Sequence, residues 1–231
     1  MISANIEFVR ERIRRRCASS GRDPADVTLV VVAKTYSSGM IREALGAGAR
    51  DIGENYVQEL VAKRSELEGE EVRWHFVGHL QRNKVRHIVP WIHLIHAVDD
   101  ASLAAEIDRR AEQASRTIDV LVEVNTTGES SKYGVPPEGV AGLVRSLGGF
   151  RNIRVAGLMT MGPMARDPER SRPMFRRLRE LRDEMNTLGQ DNVLMRHLSM
   201  GMTGDFEVAI EEGATLVRIG TAIFGARVRP A

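Results

Sequence analysis

Residues 27–34 read VTLVVVAK, in which the apolar residues Leu29, Val30, Val31, Val32 and Ala33 run without a break into Lys34. A β-branched run of this length suits a strand buried on both faces, as in a parallel sheet. With a side-chain period of two, Val30, Val32 and Lys34 share one face. An ammonium then stands at the C-terminal end of a buried strand, where α/β proteins build their sites. Two readings of it stand at this point. Either Lys34 snorkels to water, or desolvation favours its neutral form and makes it an amine nucleophile.

Seven further strand-like runs follow, at residues 51–53, 72–77, 92–98, 118–124, 153–159, 193–198 and 215–219. Helical patterns alternate with them. Ile6, Val9, Ile13 and Cys17 form one apolar stripe near the N-terminus, and the intervening Arg14, Arg15 and Arg16 read as a solvated face. Residues 40–45 read as a helix, and Val57, Leu60, Val61 and Leu67 mark the next. Asp99 and Asp100 can cap a helix whose core positions are Leu103, Ala104, Ile107 and Ala111. Pro136, Pro137 and Glu138 open another, and Pro173 starts one with Phe175, Leu178, Leu181, Met185 and Leu188 inward. Residues 205–212 read as a helix and 220–224 as a short helix or turn.

Repeated right-handed βα units give a doubly wound sheet or a closed barrel. Eight in succession, with no linker between them, favour a single (β/α)8 TIM-type barrel with an extra N-terminal helix, one domain over residues 1–231. No G-x-G-x-x-G follows the first strand, which argues against a dinucleotide site. The 231 residues fit one barrel, which typically needs ~250.

The net charge of +2 gives no strong field for nucleic acid or a membrane surface. Cys17 is the sole cysteine, so no internal disulfide can form, as expected of a reducing cytoplasm. No apolar run is long enough for a signal peptide or a span. The expectation is a cytoplasmic monomer that binds neither nucleic acid nor membrane and holds no metal.

In a barrel the functional groups gather at the C-terminal ends of the strands. Here those ends carry Lys34, Glu54 and Asn55, His75 to His79, Asn125, Met159, residues 199–203 and residues 218–221. The loop Ser199, Met200, Gly201, Met202, Thr203 and the pair Gly220, Thr221 stand where barrels cradle phosphate with backbone N–H groups and a helix N-terminus. Arg218 lies between the apolar Val217 and Ile219, so it needs an acceptor. It faces either a carboxylate such as Glu207 or Glu211, or else a ring nitrogen or a phosphate. Among the other lysines, Lys132 sits in a polar loop with Glu129, Ser130, Ser131 and Tyr133 that would keep it protonated. Lys63 and Lys84 read as solvated.

A Schiff-base lysine, a phosphate cradle and an arginine at one barrel mouth suggest pyridoxal 5′-phosphate (PLP). The sequence resembles the pyridoxal phosphate homeostasis protein family, with a fold like the N-terminal barrel of alanine racemase. The resemblance covers nearly the whole chain. Its carriers are VVVAKTY (30–36), IGENYVQE (52–59), WHFVGHLQRNK (74–84), GLMTM (157–161), LSMGMTGDFEVAI (198–210) and RIGTAIFG (218–225). Tyr36 stands at a variable family position, and Thr203 stands where serine is common, keeping the hydroxyl.

The resemblance implies an internal aldimine at Lys34 and phosphate binding by Ser199, Met200, Gly201, Thr203, Gly220 and Thr221. It also implies that Arg218 faces the pyridine nitrogen and that Asn55 and Met159 line the cofactor. His75 and His79 fall in a matching block and read as hydrogen-bonded structural histidines. The implied function is intracellular PLP homeostasis, by buffering the cofactor or delivering it to apo-enzymes. The alternative is a racemase-like enzyme. Racemisation needs an acid/base group on each face, and the barrel is expected to use the chain up to about Gly225, leaving no second domain to supply one.

Overall fold

The structure, a computed structural model, describes residues 1–129, 132–163 and 165–226, so Ser130 and Ser131 of the expected polar loop lie outside the described residues. Eight strands form the sheet: β1 (Thr28–Val32), β2 (Asp51–Glu54), β3 (Arg73–Phe76), β4 (Leu94–Val98), β5 (Ile118–Glu123), β6 (Ile153–Met159), β7 (Val193–Ser199) and β8 (Leu216–Ile219). All neighbours are parallel, and β8 returns to β1 with Val30 opposite Arg218, closing the barrel.

Among the described residues eight helices accompany them: α1 (Ile2–Ser19), α2 (Ser38–Gly46), α3 (Val57–Glu66), α4 (Ala101–Gln113), α5 (Val140–Leu147), α6 (Arg172–Asn186), α7 (Phe206–Glu211) and α8 (Thr221–Phe224). The expected (β/α)8 barrel with an N-terminal helix is the fold. Between β3 and β4 the connection is a 3₁₀ segment, Arg82–His87, in place of an α-helix. No helix among the described residues is long and apolar enough to cross a membrane.

The apolar surface is buried in two places. Between strands and helices, α1 lays down Ile6, Val9, Ile13 and Cys17, all fully or almost fully buried. Each large aliphatic side chain there contributes about 1.5–3 kcal/mol relative to exposure. Inside the barrel Val30, Leu94, Leu121, Ala156, Met159 and Leu216 fill a smaller core. Asp100 caps α4, accepting from the amides of Ser102 and Leu103.

Helix α1 also braces the C-terminal elements. Asn5 donates to the Ile223 carbonyl (2.8 Å), and Arg12 pairs with Glu207.

Two expectations about elements need correction. The strand carrying the opening motif ends at Val32, so Lys34 lies on the turn two residues beyond it. The inward stripe of α3 is Val57, Leu60 and Lys63, while Val61 is exposed. Lys63 is therefore a buried lysine and not a solvated one. Carboxylates at that position, described next, make its burial tolerable.

Candidate functional site

At the C-terminal end of the strands lies a cavity of about 210 Å³. Lys34, Asn55, Thr203, Arg218, Gly220 and Thr221 are on its wall, together with Tyr36, Met161 and Met202. A shallower groove lined by Gln81, Arg82 and Arg109 is larger. It lacks any buried ionisable group, so the barrel mouth is the candidate site.

Lys34 is half-buried, and the backbone on both sides of it is held from α3. Lys63 donates to the carbonyl of Ala33 (2.8 Å), to Glu54 (2.6 Å) and to Glu59 (2.9 Å). Glu59 in turn accepts from the amide of Thr35 (2.8 Å). Thr35 has φ 69°, a left-handed conformation that costs a non-glycine residue about 1–2 kcal/mol. Burial raises the Glu54 carboxyl against the pull of Lys63. Burial acts on Glu59 in the same sense, but the bonds from Lys63 and Thr35 outweigh it and leave Glu59 lower than an ordinary carboxyl. The result is a charged clamp that fixes the lysine's main chain where the strand has already ended.

Arg218 is buried on β8 and faces the barrel interior. It donates through Nη1 to Ser199 Oγ (2.6 Å) and through Nη2 to the Thr160 carbonyl (2.9 Å). Both expected carboxylate partners are taken elsewhere, Glu207 by Arg12 and Glu211 by Arg16 and Arg172. Burial lowers the Arg218 guanidinium to about 10, with Glu123 and Asp205 pulling the other way. Its remaining N–H groups have no partner among the described residues, and the side chain lines the cavity. An anion or ring nitrogen placed there would meet ready donors.

The expected site residues divide. Lys34, Asn55, Thr203, Arg218, Gly220 and Thr221 come together on one wall. Met159 does not, because it packs in the inner core below, and Met161 takes the place at the mouth. Ser199 is fully buried beneath the cavity, its hydroxyl spent on Arg218 and on His96 Nδ1 (2.8 Å). Met200 points outward into the packing against the helices, as strand alternation requires next to an inward Ser199.

Gly201 lies behind the wall with φ 91°, and a Cβ there would stand 2.8 Å from Phe206 Cα. Its role is to let the loop pass close to α7. Asp205 then pins that loop, accepting from the Met202 amide (2.7 Å) and the Ser171 hydroxyl (2.8 Å). Thr221 opens α8, whose first N–H groups have no intrahelical partner.

The two histidines also separate. His75 is buried, bonded to Asp51 and to His96. His79 is exposed and stacks on Tyr133 at 4.0 Å, with no side-chain hydrogen bond among the described residues, so it is no buried structural histidine. Lys132 pairs with Glu129 at 2.9 Å and is absent from the cavity wall.

Sequence reasoning overlooked His96, Glu123, Thr160 and the Lys63 clamp. Each inward polar residue among the strands was visible as a break in an apolar run, as in Leu94–Val98 with His96 at its centre. Glu123 is the last residue of β5, and burial, with Asp99 nearby, raises its carboxyl to about 7. Asp51, His75 and His93 bring ligand atoms within 4.8 Å of one another at the opposite mouth. Both oxygens of Asp51 are already engaged, by Arg73 (2.8 and 2.6 Å) and by His75 (3.0 Å).

Known proteins resemble this chain in sequence and fold. The family described as alanine racemase, N-terminal domain, matches residues 3–228. The pyridoxal phosphate homeostasis protein of Aquifex aeolicus is 47% identical over 222 residues, covering 96% of each chain. That of Pseudomonas aeruginosa is 42% identical over 226 residues, covering 98% of this chain and 96% of the relative. PipY of Synechococcus elongatus, solved with PLP bound, superposes with a TM-score of 0.82 at 33% identity, over 92% of this chain and all of that one. Alanine racemase of Clostridium difficile shares the fold at 15% identity (TM-score 0.73, 97% of this chain and 56% of that one). The chain belongs to the pyridoxal phosphate homeostasis protein family, built on the barrel of the alanine racemase N-terminal domain.

Proposed function

We propose that the barrel mouth holds pyridoxal 5′-phosphate, with Lys34 as the amine that takes the cofactor's aldehyde, and that the chain buffers or delivers the cofactor inside the cell. The observation that carries this reading is the convergence of Lys34, Arg218, Thr203, Gly220 and Thr221 on one cavity. The residues fit the group. Arg218 has N–H groups to spare, and Gly220 lets the start of α8 lie close against the main chain of β1 at the cavity wall. A Cβ at Gly220 would sit 2.8 Å from the Val32 carbonyl oxygen.

When bound, the cofactor supplies an aldehyde and a phosphate dianion. Thr221 and the loop at Thr203 would receive the dianion at the start of α8. Arg218 would donate towards the ring nitrogen, disfavouring a proton there and weakening the ring as an electron sink. The clamp from α3 keeps the Lys34 main chain fixed.

The racemase reading needs a second acid/base group across from Lys34. Tyr36 is a poor candidate, because its hydroxyl donates to the Gly225 carbonyl at 2.7 Å while its ring packs on Phe224. Tyr133 stacks on His79 at the exposed rim. The expected result is negligible formation of D-isomers when PLP-loaded protein meets L-alanine and other L-amino acids, followed by chiral chromatography. Turnover near the ~10 s⁻¹ typical of enzymes, absent in Lys34→Ala, would overturn the carrier reading. Apo-enzyme activation faster than by free PLP would support it.

A further inference from the structure

Beneath the cavity, five side chains on five strands touch end to end. Arg218 on β8 donates to Ser199 Oγ on β7 (2.6 Å). Ser199 Oγ lies 2.8 Å from His96 Nδ1 on β4, and His96 Nε2 lies 2.9 Å from His75 Nδ1 on β3. His75 Nε2 is 3.0 Å from Asp51 Oδ1 on β2. All five are buried. Asp51 and its partner Arg73 are the first residues of their strands, so the line runs from the cavity wall to the opposite mouth of the barrel.

The chemistry of the two ends fixes the direction of every bond. A carboxylate only accepts, so the hydrogen between His75 and Asp51 belongs to His75 Nε2. A guanidinium only donates, so Ser199 accepts from Arg218. With both imidazoles neutral, the Ser199 hydroxyl donates to His96 Nδ1, and His96 Nε2 donates to His75 Nδ1. Every donor along the line then has its acceptor. Were His75 an imidazolium, Ser199 would accept from both neighbours, and its own hydrogen would have no acceptor among the described residues. Burial, reinforced by nearby cationic groups, pushes His96 well below the usual imidazole range, which agrees with the neutral arrangement.

We propose that Asp51, His75, His96 and Ser199 are positioning residues that hold Arg218 against the cofactor ring through one directed hydrogen-bond line. Arg218 has no carboxylate within ion-pair distance among the described residues. A guanidinium buried in that way is costly unless something else offsets its charge. Here the hydroxyl and two imidazoles point their acceptor ends towards it, and the carboxylate at the far end polarises all three in the same sense. Glu123 and Asp205 act on Arg218 from beyond ion-pair distance, and the line adds a row of aligned hydrogen-bond dipoles to their field. The inference rests on the reading of Arg218 as facing the cofactor ring. His75 and His96 touch the cavity only through Ser199 and Arg218.

Two measurements test it. The first uses the full chain labelled with ¹⁵N-histidine and no added cofactor. Both His75 and His96 should appear in NMR spectra as neutral imidazoles protonated at Nε2. Ser199→Ala should shift the His96 Nδ1 signal, and Ser199→Thr, which keeps the hydroxyl, should restore it. An Nδ1-protonated or doubly protonated ring at neutral pH would overturn the relay.

The second compares wild type with His75→Phe after loading with ring-¹⁵N PLP, with occupancy checked by mass. The expected result is a shifted ring-nitrogen signal in a variant that still carries cofactor. An unchanged signal would overturn the relay, since a merely structural role predicts lower stability alone. Failure of wild type to take up PLP would instead sink the functional reading, leaving the histidine tautomers to decide the relay.

Discussion

The Lys63 ammonium donates to the carbonyl of Ala33, the residue before Lys34, over 2.8 Å. Its other partners are Glu54, at the end of β2, and Glu59, one turn earlier on α3. Lys63→Met would leave Glu54, which has no solvent exposure, without its counter-charge. Removing one partner of a buried pair costs about 3–5 kcal/mol. Adding Glu54→Gln should recover much of that loss, because no uncompensated charge is then buried. Urea unfolding of the two single variants and the double variant checks this. Strictly additive losses would show that the pair is not coupled.

Borohydride treatment of PLP-loaded protein, followed by peptide mapping, should place the pyridoxyl group on Lys34. Lys132 is the rival, but it is tied to Glu129 and lies away from the cavity wall. A pyridoxyl group found chiefly on Lys132 in unmutated protein would refute the assignment.

Gly220→Ala should weaken binding of PLP more than binding of pyridoxal. The added Cβ would meet a main-chain oxygen at 2.8 Å, and β8 must shift to relieve it. Overpacking of this kind costs roughly 1–3 kcal/mol. The shift also moves the first turn of α8. A drop of about tenfold or more in PLP affinity is expected, equivalent to roughly 1.4 kcal/mol. An equal loss for both ligands would remove the phosphate from this end of the barrel.

Glu123 makes stability depend on pH in a defined direction. Its carboxyl is raised from 4.5 to about 7 in the folded chain, mainly by burial. The folded state therefore holds a proton that the unfolded state has released, and stability falls as pH rises from about 4.5 to about 7. A shift of this size corresponds to on the order of 3 kcal/mol. Glu123→Gln should gain on wild type between pH 5 and pH 8 in urea unfolding. A constant difference across that range would show that Glu123 is ionised in the fold throughout.

The barrel was legible because most strands, such as β1, β4 and β5, present a compact apolar run and the longer helices an apolar stripe. Periodicity alone separated the two, from the run at Val30 to the stripe at Phe175, Leu178 and Leu181. The cavity wall was legible wherever a strand end and a loop coincide, as at Lys34, Arg218 and Gly220.

What eluded the sequence was the direction in which neighbouring residues point. Ser199 ends β7 and Thr203 lies in the loop that follows, yet the first looks down into the barrel and the second up into the cavity. Lys63 looked solvated because its partners are nine and four residues away, and only folding brings them together. His96 gave a weak signal for the same reason, since its partners are on β3 and β7.

The pairing of β1 with β8, which sets Val30 opposite Arg218, has a consequence for biosynthesis. Domains emerge from the ribosome N-terminal end first, so a nascent chain carries Lys34 long before Arg218 exists. Until β8 docks, β1 has β2 as its only sheet neighbour, and the cavity lacks the wall made by Arg218, Gly220 and Thr221. Cofactor capture must then follow translation of the last strand. In a refolding chain, the fraction able to take up PLP would count closed barrels.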